Sequence, residues 1–375
     1  MSGLYLDNAA TTPVRREVLE AMAPFLTSAY GNPSSHHTVG ERAAAALDDA
    51  RRRVARVLGV RPGDIVFTSG GTEANNLAIK GIALAALQNS GARHVITSPI
   101  EHESVLASVD YLRRLHGFEV TVLPVDTDGV IDPGDLAGAV RPDTAVVSIG
   151  LANNEIGTVQ DAAALADARG SARLHLDAVQ AAGWLRLSGL VADALTLAGH
   201  KLGAPKGIGV AMIRGRIPLE PVIHGGGQQR GRRSGTENVA GAVGFAVALE
   251  LAEAEREEAA ARVAAARDAF VARVLREVPS ARLTGHPHRR LPGTASFTFA
   301  GVSGEAVLLE LERRGVISSS GSACAAGSEE ASHVLTAIGV EHDLARTAVR
   351  FTLPHAWAGS LDAVAVAVAA SVAAV

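Results

Sequence analysis

LHLDAVQAAGWLRLSGLVADALTLAGHK, residues 174–201, contains two short apolar runs, each closed by a reactive group. Leu174-His175-Leu176 leads into Asp177-Ala178-Val179-Gln180, and Ala194 to Leu197 leads, past Ala198, into Gly199-His200-Lys201. Apolar runs without strict alternation read as strands of a parallel sheet covered on both faces. Outward from this stretch the pattern repeats at Ile65-Val66-Phe67, His94 to Thr97, Val120 to Val125, Thr144 to Ile149 and Ile208 to Ile213, with Ala-rich segments between. The expected class is α/β, a large domain built on a mostly parallel sheet.

Beyond it, residues 236–278 are rich in Ala, Glu and Arg and carry a Glu258–Arg262 pair at the stabilising spacing, which predicts a long connecting helix. Smaller alternations follow at Ala295 to Phe299, Gly304 to Arg313, Val316 to Ser319, His333 to Ile338 and Val349 to Leu353, before a last helix. They predict a smaller α+β domain. The division expected is residues 14–250 for the large domain and 251–375 for the small one, with segment 1–13 packing on the latter.

Composition narrows the chemistry. A chain of 375 residues with 47% hydrophobic content buries a sizeable core. Its 35 basic and 39 acidic residues leave a net charge of −4, which argues against nucleic acid or an acidic membrane surface as partner. Cys324 is the single cysteine, so no intrachain disulfide, zinc ribbon or self-contained iron–sulfur site is expected, and a reducing cytoplasm is the default location. The first residues lack a basic stretch before Asp7, so no signal peptide is expected. The most apolar segment, Ala363 to Val375, falls short of the ~20 residues of a membrane helix. The 13 histidines show no metal-ligand spacing, and no resident metal is expected.

In open α/β sheets ligands gather outside the carboxyl ends of the strands. Those positions here hold Thr68 to Asn76, Glu101-His102-Glu103, Asn153-Asn154-Glu155, Asp177 to Gln180 and Gly199-His200-Lys201. Gly70-Gly71-Thr72 before an Ala-rich segment reads either as an anion site at a helix start or as a plain turn with Thr72 as cap. With no Gly-Lys-Ser/Thr and no G-x-G-x-x-G, a nucleotide is disfavoured. Asp177 and Lys201 together point to pyridoxal phosphate, which needs a lysine amine, a carboxylate on its ring nitrogen and a phosphate cradle. Taken singly, they read as a helix cap and a loop lysine.

Four further features leave alternatives open. His102 either stacks on a ring and shuttles protons or is a solvated loop residue. Cys324 lies among small polar residues 317–328, expected to form a mobile loop, and reads as a presented nucleophile or an incidental thiol. Arg350 is a fork for a carboxylate or a surface arginine on an edge strand. The basic, glycine-rich residues 225–236 serve an anion, cross a subunit boundary or are simply solvated.

Taken in order along the chain, these motifs resemble the cysteine desulfurases of the NifS/IscS type, class V aminotransferases among the fold-type I pyridoxal-phosphate enzymes. The likeness runs nearly end to end. It is carried by Tyr5 to Thr12, Gly31-Asn32-Pro33-Ser34-Ser35-His36, Thr68 to Asn76, Glu101-His102, Asn153 to Gly157, Asp177 to Gln180, His200-Lys201, Arg233-Ser234-Gly235-Thr236, the Cys324 segment and Arg350-Phe351. The resemblance implies that Lys201 carries the cofactor, Asp177 pairs with its ring nitrogen and Gln180 bonds its phenolic oxygen. His102 would stack on the ring and act in catalysis. Gly71, Thr72 and His200 would hold the phosphate, joined by Thr236 from the second subunit of a homodimer. Asn153, bordering the cofactor, and Arg350 would take the substrate carboxylate. The implied reaction converts L-cysteine to L-alanine and leaves a persulfide on Cys324. That sulfur would serve an acceptor protein, such as an iron–sulfur assembly scaffold or a thiolation enzyme, with Cys324 a possible shared cluster ligand.

The chain departs from the family pattern at Ala198, where a serine that donates to the phosphate is usual, at Ala325 and Ala326, and at Pro354. Aminotransferase, epimerase or selenocysteine lyase chemistry on the same fold, with Cys324 incidental, is the competing expectation, and a non-catalytic interaction protein on the same scaffold is a third.

Overall fold

The computed structural model describes residues 3–321 and 331–375. Elements in chain order are β1 (Leu4–Tyr5), α1 (Arg16–Thr27), α2 (Thr38–Leu58), β2 (Ile65–Thr68), α3 (Gly71–Ser90), β3 (His94–Thr97), α4 (Glu103–His116), β4 (Glu119–Val122), α5 (Pro133–Ala139), β5 (Thr144–Gly150), α6 (Ala162–Ala168), β6 (Arg173–Asp177), β7 (Ala194–Ala198) and β8 (Gly209–Ile213). Then follow α7 (Val239–Glu277), β9 (Ala281–Leu283), β10 (Thr294–Phe299), α8 (Gly304–Arg313), β11 (Val316–Ile317), α9 (His333–Ala337), α10 (His342–Ala345), β12 (Val349–Thr352) and α11 (Asp362–Ala373).

Among the described residues, β2 to β8 form a sheet of seven strands in the order β2-β8-β7-β6-β5-β3-β4. Only β8 runs against its neighbours; β4, β3, β5, β6 and β7 are mutually parallel. The expected class, α/β with a mostly parallel sheet, is what the structure has. Burial on both faces explains the unalternated sequences. In β2, Ile65 and Phe67 join the core under α1, α2 and α7, while Val66 joins the core under α3 and α4. In β8, Val210 and Met212 face the first core and Ala211 and Ile213 the second. Each such fully buried side chain contributes about 1.5–3 kcal/mol, so Leu176→Ala would cost about 2–5 kcal/mol and leave a cavity. The run expected to continue as a strand to Val125 stops at Val122, the end of β4, and Leu123 instead turns into the core.

Chain order reverses between β3 and β5, and at such a switch point the loops leaving neighbouring strands diverge and open a crevice. The loops after β3, β5, β6 and β7 surround it. A second, antiparallel sheet, β12-β10-β9, packs with α8 and α11 around Phe297, Phe299 and Phe351. The short strands β1 and β9 lacked a sequence signal, because two or three residues give no period to read. β1 pairs in parallel with β11, and Asp7 bridges to Thr352, which carries the N-terminal segment across to β12. Helix α7 runs unbroken through residue 250 and links the two sheets.

Candidate active site

A cavity of about 640 Å³ opens at the switch point. Gly71, Thr72, His102, Asn153, Asp177, Gln180, His200, Lys201 and Arg350 all line it, brought together from six separate loops and strands. Thr236 is exposed on this chain and is not among the lining residues. Cys324 lies outside the described residues.

Asp177 ends β6, where register places it between Gly150 of β5 and Thr196 of β7. Its Oδ1 accepts the Val179 N–H at 2.9 Å and its Oδ2 accepts Asn75 Nδ2 at 2.7 Å. Asn75, buried on α3, has its amide spent on the floor of the cavity. Nδ2 also donates to Ser104 Oγ at 2.9 Å, and Oδ1 accepts the Thr196 hydroxyl at 2.5 Å. Beneath Thr196 lies His175, whose ring nitrogens meet Ser148 Oγ at 2.9 Å and Thr196 Oγ1 at 3.1 Å. Burial pushes His175 down to about 4, so it is a neutral member of this network near pH 7. A fully satisfied buried network fixes its members' geometry, which here fixes the Asp177 carboxylate.

His102 caps α4 rather than sitting free in a loop. Its Nδ1 accepts the Ser104 N–H at 3.0 Å and lies 2.8 Å from Ser104 Oγ. Because Nδ1 accepts, the ring proton of the neutral side chain belongs on Nε2. Next to it Glu101 is buried, with Oε1 accepting the Ser98 hydroxyl and Oε2 accepting the Gly150 N–H, both at 2.6 Å. Burial raises its pKa to about 8, reinforced by the negative Asp177 and opposed by those two hydrogen bonds. Gly150 admits this contact: a Cβ there would come within 3.0 Å of Glu101 Oε2.

Lys201 follows β7 on a single 3₁₀ turn, Gly199–Lys201. Its Nζ donates to the Ala9 and Ala10 carbonyls of the N-terminal segment, the latter at 2.7 Å. Gln180 Nε2 donates to the same Ala9 carbonyl at 3.0 Å. Burial, with the nearby positive Lys201 and Lys206, lowers His200 to about 4 and keeps it neutral. His200 Nδ1 lies 3.2 Å from Thr11 Oγ1.

The N-terminus of α3 faces the cavity with the N–H groups of Gly71, Thr72 and Glu73 ahead of the first helical bond, Ala74 N–H to Gly70 O at 3.0 Å. The cap residue is Gly70, not Thr72, so the Thr72 hydroxyl is not used as the helix cap. A Cβ on Gly71 would come 2.9 Å from Val179 Cγ2, so only glycine leaves the hollow open. These features leave open N–H donors at a helix N-terminus facing the cavity.

The opposite wall comes from distant segments. Arg350, central in β12 and 2% exposed in its side chain, donates from Nη1 to the Asn154 and Gly321 carbonyls at 2.9 Å each and from Nη2 to Asp7 Oδ1 at 2.6 Å. Its Nε is buried without an acceptor, a donor available to a ligand. β12 is an outer strand of its sheet, as the alternative had it, but Arg350 is buried and not a surface arginine. Asn153 Nδ2 donates to Ile100 O at 2.8 Å while Oδ1 accepts the N–H groups of Glu155 and Ile156, which leaves one amide N–H for a ligand. Sequence reasoning did not single out Asp7, Ala9, Ala10 or Glu101 as functional. Their common signal was position, since each sits in a quoted motif without a role of its own.

The chain matches the family model described as aminotransferase class-V over residues 4–355. It is 46% identical over 354 residues to the cysteine desulfurase IscS of Dictyoglomus turgidum, spanning 93% of this chain and 89% of that one. The cysteine desulfurase IscS of Methanosarcina thermophila is 45% identical, over 93% of this chain and 87% of its own length. Among solved structures, a NifS-like protein superposes with a TM-score of 0.90 at 36% identity, covering 99% of both chains. SspA in complex with cysteine gives 0.82 at 37% identity over 93% of this chain and 98% of that one.

Proposed function

Because the chain belongs to the class-V aminotransferases, and among them to the cysteine desulfurases, we propose that it uses pyridoxal 5′-phosphate to convert L-cysteine to L-alanine. In this reaction the substrate C–S bond breaks, a proton replaces sulfur on the β-carbon, and an S–S bond forms at Cys324, leaving a persulfide there.

The observation that carries this reading is the meeting of Lys201, Asp177 and the open N-terminus of α3 around one cavity of about 640 Å³. The donor set fits the cofactor. Asp177 is an anchored carboxylate for a ring nitrogen, the Gly71 hollow and its N–H groups suit a phosphate, and Lys201 is the primary amine beside both. When bound, pyridoxal phosphate supplies an aldehyde for an amine and a ring that draws electrons from the substrate α-carbon.

The chain's own residues do the rest. Lys201 Nζ holds the cofactor at rest and, once displaced, takes the α-proton; the Ala9 and Ala10 carbonyls give that nitrogen a fixed place. Asp177 holds the ring nitrogen protonated, and the Asn75 network keeps the carboxylate aimed. Neutral His200 donates an N–H to the phosphate with Gly71 and Thr72, and Thr236 contributes from the second subunit of a homodimer. Gln180 offers its remaining N–H to the phenolic oxygen, and His102 covers the ring. Asn153 and Arg350 take the substrate carboxylate through the N–H groups left open by their internal bonds. Sulfur then passes to an acceptor protein, which we place in the cytoplasm; among the described residues no helix is long and apolar enough to cross a membrane.

The test is alanine and sulfide production from L-cysteine by the purified protein. Lys201→Ala is expected to lose the bound chromophore and at least about 10³-fold in turnover, since nucleophile and proton carrier go together. Cys324→Ala is expected to lose sulfide release under reducing conditions; unchanged sulfide release would remove the thiol from the mechanism.

A further inference from the structure

The segment of residues 7–12 reaches three sides of the cavity at once. Asp7 meets Arg350, Ala9 and Ala10 meet Lys201, and Thr11 meets His200. We infer that Asp7 is a positioning residue for the substrate carboxylate, acting through Arg350, an inference that rests on Arg350 taking that carboxylate.

Arg350 is buried, and Asp7 is the carboxylate that pairs with it, at 2.6 Å with side-chain exposures of 2% and 17%. Without a counter-charge a buried guanidinium is strongly disfavoured, so Asp7 lets the cation sit where water cannot stabilise it. The pairing also sets direction. Two carbonyls, of Asn154 and Gly321, hold Nη1, and Asp7 holds Nη2, so rotation about the last side-chain bonds is blocked from both ends. The Nε–H and the second N–H of Nη2 are what remain.

Asp7 is itself anchored to the strand that bears Arg350. Asn8 Nδ2 donates to Thr352 O at 2.8 Å, the Ala9 N–H donates to Thr352 Oγ1 at 2.8 Å, and the Tyr5 hydroxyl donates to the Asp7 carbonyl at 2.9 Å. Since the next residues along the same segment hold Lys201, one short stretch of backbone sets the separation between the amine and the guanidinium. Those groups serve the two ends of an α-amino acid, so the segment measures that substrate class against amines or carboxylates alone.

The experiment compares Asp7→Asn, Arg350→Ala and the double variant of the cofactor-loaded enzyme. Asp7→Asn is expected to raise the KM for L-cysteine about tenfold with kcat within about twofold, as loss of one charged hydrogen bond would. Inhibition by 3-mercaptopropionate, a carboxylate without the amine, should weaken in parallel, and inhibition by cysteamine, the amine without the carboxylate, should not. In the Arg350→Ala background the Asp7→Asn change should add nothing. Additive losses, equal weakening of both inhibitors, or a kcat loss at constant KM would overturn the inference while leaving Arg350's role intact. An Arg350→Ala enzyme with unaltered KM would instead remove the carboxylate reading of Arg350 and this inference with it. Should Asp7→Asn fail to fold, Asp7→Glu keeps the charge, and its KM is expected between those of the parent and Arg350→Ala; a parental KM would overturn the proposal.

Discussion

The floor and the far wall of the cavity are built in different ways. On the floor, Asp177 sits in register between Gly150 and Thr196 on adjacent parallel strands, and hydrogen-bond spacing in the sheet fixes their separation. On the wall, Arg350 meets Asp7 across 343 residues of sequence and Asn154 across 196, and a single β-bridge, Asp7 to Thr352, stands where the floor has a full sheet. The floor is a by-product of the large sheet and forms when the sheet forms. The wall requires closure of a loop nearly as long as the chain, so its geometry depends on the N-terminal segment staying docked on β12. Changes on the floor should therefore alter the chemical step, and changes on the wall should alter substrate recognition.

The sharpest way to break this contrast is Asp177→Asn. It keeps the shape and the Val179 contact but removes the charge; turnover is expected to fall about 10²-fold with little change in KM. A predominant KM effect in steady-state kinetics would erase the distinction between floor and wall.

The floor's buried titratable groups make a second test through stability against pH. His175 has a pKa of about 4 in the folded protein, below its unfolded value of 6.5, so its contribution is whole above 6.5 and is lost as pH falls towards 4, at most about 3 kcal/mol. In urea unfolding, the destabilisation caused by His175→Asn should shrink between pH 7.5 and pH 5. Glu101 has the opposite sign. Its folded value of about 8 lies above the unfolded 4.5, so stability is lost as pH rises through that interval, and Glu101→Gln should gain on the parent most at pH 8. A pH-independent difference for both variants would contradict the buried network.

The smallest effect is expected at the proposed phosphate hollow beside Gly71. Ala198 is buried beside the Gly71 hollow and offers no hydroxyl. Ala198→Ser is expected to slow cofactor release several-fold, about 1 kcal/mol for one added hydrogen bond, measured by loss of bound chromophore on dilution.

Much of the floor was legible because its residues obey a local rule. Asp177 and Lys201 each follow an apolar run, and Gly71 opens a helix after another; strand ends in a parallel sheet converge on one edge, so order along the chain is enough to bring them together. His102, Asn153 and Arg350 were legible as candidates but not as geometry. That His102 caps α4, that Asn153 spends most of its amide on backbone, and that Arg350 is buried although β12 is an outer strand of its sheet all depend on how the chain packs around them. Glu101 and Asn75 gave no signal of their own, because a glutamate or asparagine after a strand is ordinary until burial removes its water. Thr236 stands apart from the cavity of its own chain, which no pattern within a single chain could decide.

Sequence alone determined the class of fold and the strand ends that line the cavity, since apolar runs and the groups that close them are local properties of the chain. The tertiary structure alone decided that an aspartate near the N-terminus pairs with an arginine in β12, and that two carbonyls close to it in sequence hold Lys201 Nζ. Contacts between residues hundreds of positions apart are set by how whole elements dock, and docking is a sum over many packed surfaces that no single stretch of sequence contains.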